Sequence, residues 1–298
     1  MKRVFALILV LVLLAALAGC GSTPEPAAPT AAPTSEGPAP PPTSPPLAEE
    51  LHVYNWSEYI DPEIYDEFEQ EFGVRVIEDT FASNEDLLAK LQAGATGYDI
   101  IVPSDYMVTI MRELDLLAEL DYGNIPNFAN VDPKFLDPPY DPDNTYCVPY
   151  QWGTTGIGYD SEAFEEAPAS WAYLFDPEMA GAYANQMSML NDPREAFAAA
   201  LKYLGYSLNT TDEQELEEAK QLLIEQKAWV STYDSEGYED LLAAGETVIA
   251  HGWSGDFFMA AEEAEQIWYV IPEEGGVIWT DNLCIPDSAP EKYTAEGF

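Results

Sequence analysis

The chain reads as an α/β protein organised on a buried, mainly parallel sheet, and three observations point there. Strand-like and helix-like stretches alternate: a strand opening at Val53, a helix, Val74–Ile77, a second helix, then Asp99–Val102. The strand pieces are nearly continuous in apolar residues, as strands covered on both faces are. With 298 residues, 47% of them hydrophobic, the chain can also build one large or two medium domains with real cores.

The first helix is marked at both ends. Asp61-Pro62-Glu63 supplies an N-cap, a proline at the first helical position and an acid in the first turn, and Gly73 suits a left-handed stop. Between them Ile64, Phe68 and Phe72 recur every four residues and are expected to face the core. Tyr54–Tyr59 is then a loop pinned between a strand and a helix N-terminus, where open α/β sheets place their ligands. Trp56 and Tyr59 offer flat faces there, Ser57 a hydroxyl and Glu58 a charge.

Ser83-Asn84-Glu85-Asp86 starts the second helix, which carries Leu87, Leu88 and Leu91 and stops near Gly94. The third strand ends in Pro103-Ser104-Asp105-Tyr106; Ser104 suits a cap and Tyr106 a packing role, or both face a ligand. From Asn124 to Asn144 prolines and aspartates interrupt any regular pattern. Tyr146–Tyr150 and Gly156–Tyr159 are extended pieces around a soft middle, Gln151-Trp152-Gly153-Thr154-Thr155, which suits a hinge. Later, Thr210-Thr211-Asp212-Glu213 has capping-box spacing and leads a helix with Leu216, Ala219, Leu222 and Leu223 on one face.

Charge excludes whole classes of partner. There are 54 acidic residues against 11 basic, a formal net charge of −43, the wrong sign for nucleic acid or an anionic membrane surface and the right one for a cationic ligand. Taken singly, most of these acids read as solvated surface. Lys2 and Arg3, the apolar run Val4–Leu17 and small residues after it form a secretion leader. Leu17-Ala18-Gly19-Cys20 resembles the bacterial lipoprotein cleavage box, which implies a leader over 1–19, lipidation at Cys20 and attachment outside the cytoplasm. The Pro/Ala/Thr-rich stretch to residue 46 is a semi-extended tether. Cys147 and Cys284 each lie in a strand-like run before a proline; they pair if those strands are adjacent, and are otherwise two buried thiols.

Three clusters in the second half combine acids with a cation or an aromatic ring. Asn191-Asp192-Pro193-Arg194-Glu195 brackets an arginine with carboxylates, though taken alone an N-cap with a local ion pair explains it better. Gly252-Trp253-Ser254-Gly255-Asp256 follows the apolar run Thr247–Ala250. In Trp279-Thr280-Asp281-Asn282, strand alternation puts Trp279 and Asp281 on one face, which is costly to bury dry.

Enzyme chemistry is hard to assemble from this inventory. His52 and His251 are too few for a zinc triad, and neither a phosphate-cradling loop nor G-x-S-x-G occurs. An acidic secreted glycosidase using paired carboxylates is the best enzyme alternative. A flexible aliphatic chain with an ammonium at each end fits better, since its cations need carboxylates and its methylenes need flat apolar walls.

The segments Y-N-W-S-E-Y, V-P-S-D-Y, V-P-Y-Q-W-G-T-T-G-I-G-Y, N-D-P-R-E, G-W-S-G-D and E-G-G-V-I-W-T-D-N-L-C-I-P, in that order from Leu51 onward, resemble the spermidine/putrescine-binding proteins of bacterial ABC importers. The resemblance implies a two-lobed periplasmic-binding-protein fold of type II, each lobe a mainly parallel sheet flanked by helices, with the ligand cleft between lobes. Residues 47–154 and 278–298 would form the first lobe and 155–277 the second. It implies a polyamine as ligand, a permease as partner, a monomer, and neither cofactor nor metal. Trp56, Ser57, Glu58 and Tyr59 would line the first-lobe wall with Ser104 and Tyr106. Asp192 and Glu195 would meet one amine, and Trp253, Asp256, Trp279 and Asp281 would clamp the rest. Gly-Trp-Ser-Gly-Asp is more similar to putrescine-preferring members, and the choice between spermidine and putrescine stays open. A binder of ferric ion in the same fold is the alternative, disfavoured because iron needs paired tyrosines and oxygen ligands at one point. Family chains continue past the equivalent of Phe298, so a returning segment that completes the fold is expected to be missing here.

Overall fold

β1 (Glu50–Trp56) runs parallel to both β2 (Arg75–Phe81) and β3 (Ile100–Ile101), with α1 (Pro62–Phe72) and α2 (Asn84–Gln92) as the intervening crossovers and α3 (Asp105–Glu113) after β3. This computed structural model describes residues 44–94 and 96–298. The leader, Cys20 and the tether up to residue 43 lie outside the described residues.

Local chemistry explains the starts and stops. The Asp61 carboxylate accepts the Glu63 N–H and Gly73 closes α1 at φ 71°. Ser83 Oγ accepts the Asp86 N–H at the head of α2. Three details differ from the expectations. β1 continues to Trp56, so the loop is Ser57–Asp61 rather than Tyr54–Tyr59. In α1 only Phe68 is buried, while Ile64 and Phe72 are 47% and 45% exposed. A strict spacing of four overshoots a 3.6-residue turn, so the three side chains fan out and only the middle one meets the sheet. β2 is an edge strand with a largely exposed surface, not a strand buried on both faces.

The irregular crossing contains three short 3₁₀ turns, Pro126–Asn130, Pro133–Phe135 and Pro142–Asn144. β4 (Cys147–Asp160) follows as one 14-residue strand, with a register shift between Pro149 and Gln151, where two pieces around a soft break were expected. Beyond it come α4 (Ala172–Phe175), α5 (Pro177–Ala180), β5 (Met187–Met189), α6 (Pro193–Tyr203), α7 (Glu213–Gln226), β6 (Thr232–Tyr233), α8 (Tyr238–Ala243), β7 (Ile249–Trp253), α9 (Ser254–Glu263), β8 (Ile267–Val270), β9 (Ile278–Cys284) and α10 (Lys292–Gly297). The head of α7 is capped by Asp212, which accepts from Gln214 and Glu215, not by Thr210. No reciprocal capping box forms: the Asp212 N–H donates to Thr210 Oγ1, whose hydroxyl in turn donates to Glu215.

The strand order is β2-β1-β3-β9-β4-β7-β5-β6, with β8 on β4. The sheet is mixed rather than mainly parallel: parallel pairs occupy its two ends, and the pairs made by β9 and β4 in its middle are antiparallel. Residues Cys147–Thr154 of β4 pair with β9, and Thr155–Asp160 pair with β7 and β8. Cys147 and Cys284 are register partners on β4 and β9 and form a disulfide. On one side of this strand the core gathers Tyr54, Phe81, Leu87, Ile101, Met107 and Met111; on the other, Ile157, Trp171, Phe175, Met187, Met189 and Leu201.

Candidate ligand-binding site

A cleft of about 1120 Å³ opens across the middle of the sheet, and all twelve side chains singled out above line it. They arrive on separate elements: the β1–α1 loop, the head of α3, the heads of α6 and α9, and β9.

Trp56 closes β1 and is only 8% exposed. Its indole N–H donates to the Val102 carbonyl at 2.9 Å, and its ring lies 4.5 Å from Phe81 and 5.6 Å from Trp253. It is therefore as much core as cleft wall. Glu58 takes a left-handed backbone (φ 51°) and stays exposed at the lip. Tyr59 is fixed twice. Its carbonyl accepts from the Tyr150 hydroxyl and the Gln151 amide, each at 2.7 Å, and its own hydroxyl donates to Asp281 Oδ2 at 2.5 Å.

Ser104 sits at the head of α3 without capping it; instead it exchanges two hydrogen bonds with Asn84, at 2.9 and 3.0 Å. Tyr106 carries the Arg194 guanidinium over its ring at 3.9 Å and donates to Glu85. Asp192 caps α6 through the Glu195 N–H at 2.9 Å and also lines the cleft. The local ion pair to Arg194 does not form among the described residues.

The opposite wall is organised by Tyr238, a residue with no local pattern to mark it out. Its hydroxyl accepts the Trp253 backbone N–H at 2.9 Å and donates to Asp256 Oδ2 at 2.5 Å, fixing both. Trp279 and Asp281 share a face of β9, and the Trp279 ring lies over Gly153, where a Cβ would approach it to 2.4 Å. Ser235, Glu239 and Arg194 also line the cleft and were not predicted. Their sequence signals are weak: a serine in a loop, and charges at helix starts that look solvated.

Nine carboxylates and one guanidinium line this cleft. Burial pushes Asp192 and Asp256 up to about 6, Asp281 and Glu239 up to about 7, and Glu195 up to about 8, the last helped by the neighbouring Asp192 charge. One oxygen each of Glu195, Asp281 and Glu239 is enclosed and lacks a hydrogen-bond partner, as does the Trp279 indole N–H. Such groups are costly to leave unanswered. Among the described residues no group of three or more His, Cys, Asp and Glu could hold a metal ion.

A slot of acids between aromatic faces, reached from both ends of a sheet that shares one central strand, has the charge and flat walls that suit a small organic cation. Residues 63–298 match the model for the bacterial extracellular solute-binding proteins, and the chain belongs to that family. It is 39% identical over 247 residues to the spermidine/putrescine-binding periplasmic protein of Escherichia coli K12, covering 82% of this chain and 70% of that protein. The putrescine/cadaverine-binding protein of Pseudomonas aeruginosa is 36% identical over 248 residues, covering 80% and 70%. The solved TpPotD lipoprotein of Treponema pallidum is 37% identical with a TM-score of 0.74, over 84% of this chain and 76% of that one. The fold is thus the two-lobed α/β type of these receptors, which work outside the cytoplasm. Among the described residues no helix is long and apolar enough to cross a membrane.

Proposed function

We propose that the chain captures a linear polyamine, spermidine or putrescine, and delivers it to the permease of an ABC importer. The observation that carries this reading is the pair Glu195 and Asp281: two buried carboxyls, each with an unanswered oxygen, in a cleft walled by Trp253 and Trp279. An ammonium supplies the missing donors and the charge, and the indole faces cover the methylenes. The names of the relatives support the same ligand class. The reading includes no catalysis: the carboxyls hold the amines and no bond is made or broken.

The lobes in this reading are 47–154 with 278–298, and 155–277, hinged where β4 changes partner from β9 to β7. Closure of one on the other would be the signal to the permease. The protein would act as a monomer, anchored through a lipid on Cys20 and held off the membrane by its Pro-rich tether.

Calorimetric titration against spermidine, putrescine, calcium and a neutral sugar tests the assignment. Saturable binding of a polyamine, with neither calcium nor sugar competing, is expected. Asp281→Asn and Asp256→Asn should each weaken it at least about ten-fold, roughly 1.4 kcal/mol, with the fold intact. Unchanged affinity in both variants would remove those two residues from the site.

A further inference from the structure

We infer that Arg194 is a positioning residue for ligand capture: from the second lobe it reaches the Tyr106 ring on the first and holds the two cleft walls together at the α6 end. The inference rests on the polyamine reading and the lobe division above, and adds a residue to them.

Both partners are fixed where they stand. Arg194 follows Pro193 in the first turn of α6, whose start is set by the Asp192 cap. Tyr106 stands in the first turn of α3, and its hydroxyl donates to Glu85 on α2, so the ring is braced from within the first lobe. The guanidinium carbon lies 3.9 Å from the ring centroid. At that distance a planar guanidinium gains from its charge and from contact with the ring face, and an ammonium reproduces the second poorly. The Trp56 ring, 5.6 Å from Trp253, also spans the division, so the walls touch in this structure.

Electrostatics show what the contact offsets. Among the described residues Arg194 is the one basic side chain lining the cleft, and acids of both lobes converge around it: Glu85 and Asp105 from the first, Asp192 and Glu195 from the second. Burial, and then the Glu85 charge across the division, push the Asp192 carboxyl up; the Arg194 charge opposes the rise at Asp105, Asp192 and Glu195. Like charges on facing walls resist closure, and a cation between them counters that resistance. Among the described residues no carboxylate pairs with Arg194 directly, so the ring is its specific partner and the acids act at longer range.

The sign of the effect separates this role from charge alone. The ligand is a cation, so on charge alone the removal of a positive side chain from its cleft should tighten binding. A residue that holds the walls together acts the other way and through release: without it, bound ligand escapes faster.

The test is stopped-flow tryptophan fluorescence of the full chain with putrescine and with spermidine, with thermal melting as the check on folding. The proteins are wild type, Arg194→Gln, Arg194→Lys, Tyr106→Leu and the double variant of Arg194→Gln with Tyr106→Leu. Arg194→Gln should raise the release rate of either ligand about ten-fold, while association stays within about two-fold of wild type. Arg194→Lys, which keeps the charge and loses the planar contact, should raise release about three-fold. In the Tyr106→Leu background, Arg194→Gln should change release less than about two-fold. Slower release from Arg194→Gln, an Arg194→Lys protein that behaves as wild type, or the full effect of Arg194→Gln without the Tyr106 ring would overturn the inference and leave the polyamine reading in place. A wild type that binds neither ligand would end that reading and this role with it.

Discussion

In the scaffold around β1, β3 and β4, Asp99 and Asp141 are fully enclosed, and the backbone answers both. Asp99 accepts the N–H groups of His52 and Glu291 at 2.9 and 3.0 Å, and Asp141 those of Tyr146 and Cys147 at 3.1 and 2.9 Å. In the cleft, Asp281 and Glu195 are nearly as deeply enclosed, yet each keeps an oxygen with no donor. Asp99 ties distant segments of chain together, and Asp141 ties its own turn to the start of β4. The second pair lines the cleft, and its open oxygens can accept further donors from a ligand. Burial alone does not distinguish a structural acid from a binding one; the hydrogen-bond count does.

The largest effect should come from the scaffold. The Cys147–Cys284 disulfide closes a separation of 137 residues next to Asp141, so replacing both cysteines with serine should cost roughly 2–5 kcal/mol in denaturant unfolding. Polyamine affinity, measured well below the melting point, should change less than about two-fold. A large loss of affinity in the folded double variant would mean that scaffold and cleft are not separable.

Next in size is a pair of matched substitutions. Asp141→Asn removes an acceptor from two backbone donors and should lower stability by roughly 1–3 kcal/mol with little effect on binding. Asp281→Asn should do the reverse, weakening ligand while leaving the empty protein at least as stable, because it removes a charge that burial disfavours. Melting curves and titrations on both variants check the contrast. An Asp281→Asn protein as unstable as Asp141→Asn would erase it.

Much of the cleft was legible in the sequence because its acids stand next to aromatics at strand ends and in first helical turns, where local pattern gives position. Trp56, Trp253–Asp256 and Trp279–Asp281 were found that way. The parallel β1-α1-β2-α2-β3 unit was legible for the same local reason. The antiparallel middle of the sheet was not, since β9 pairs with β3 and β4 across most of the chain and no short-range signal encodes that. The glycines of β4 suggested a break, whereas Gly153 leaves room for the Trp279 ring within a continuous strand. Glu239 and Asp141 looked alike as acids in polar stretches. Only the tertiary arrangement decides which of them meets backbone donors and which meets a cavity.

The smallest effect concerns protons, and it sets the two acid classes apart without a mutation. Carboxyls that titrate near 4 in the unfolded chain titrate at about 6 to 8 in the empty cleft. Between those limits the folded protein binds more protons than the unfolded one, so stability of the empty protein should fall as pH rises from about 5 to 8. A net difference of one proton corresponds to about 1.4 kcal/mol per pH unit. A bound polyamine favours the ionised carboxyls, so binding should release protons near pH 7, tighten as pH rises through this window, and flatten the decline in stability. Calorimetry in buffers of different ionisation enthalpy reads the proton release directly. Asp281→Asn should reduce it, whereas Asp141→Asn, whose oxygens already have their donors, should leave it unchanged. Equal release from both variants would show that the demand for donors does not reside in the cleft acids.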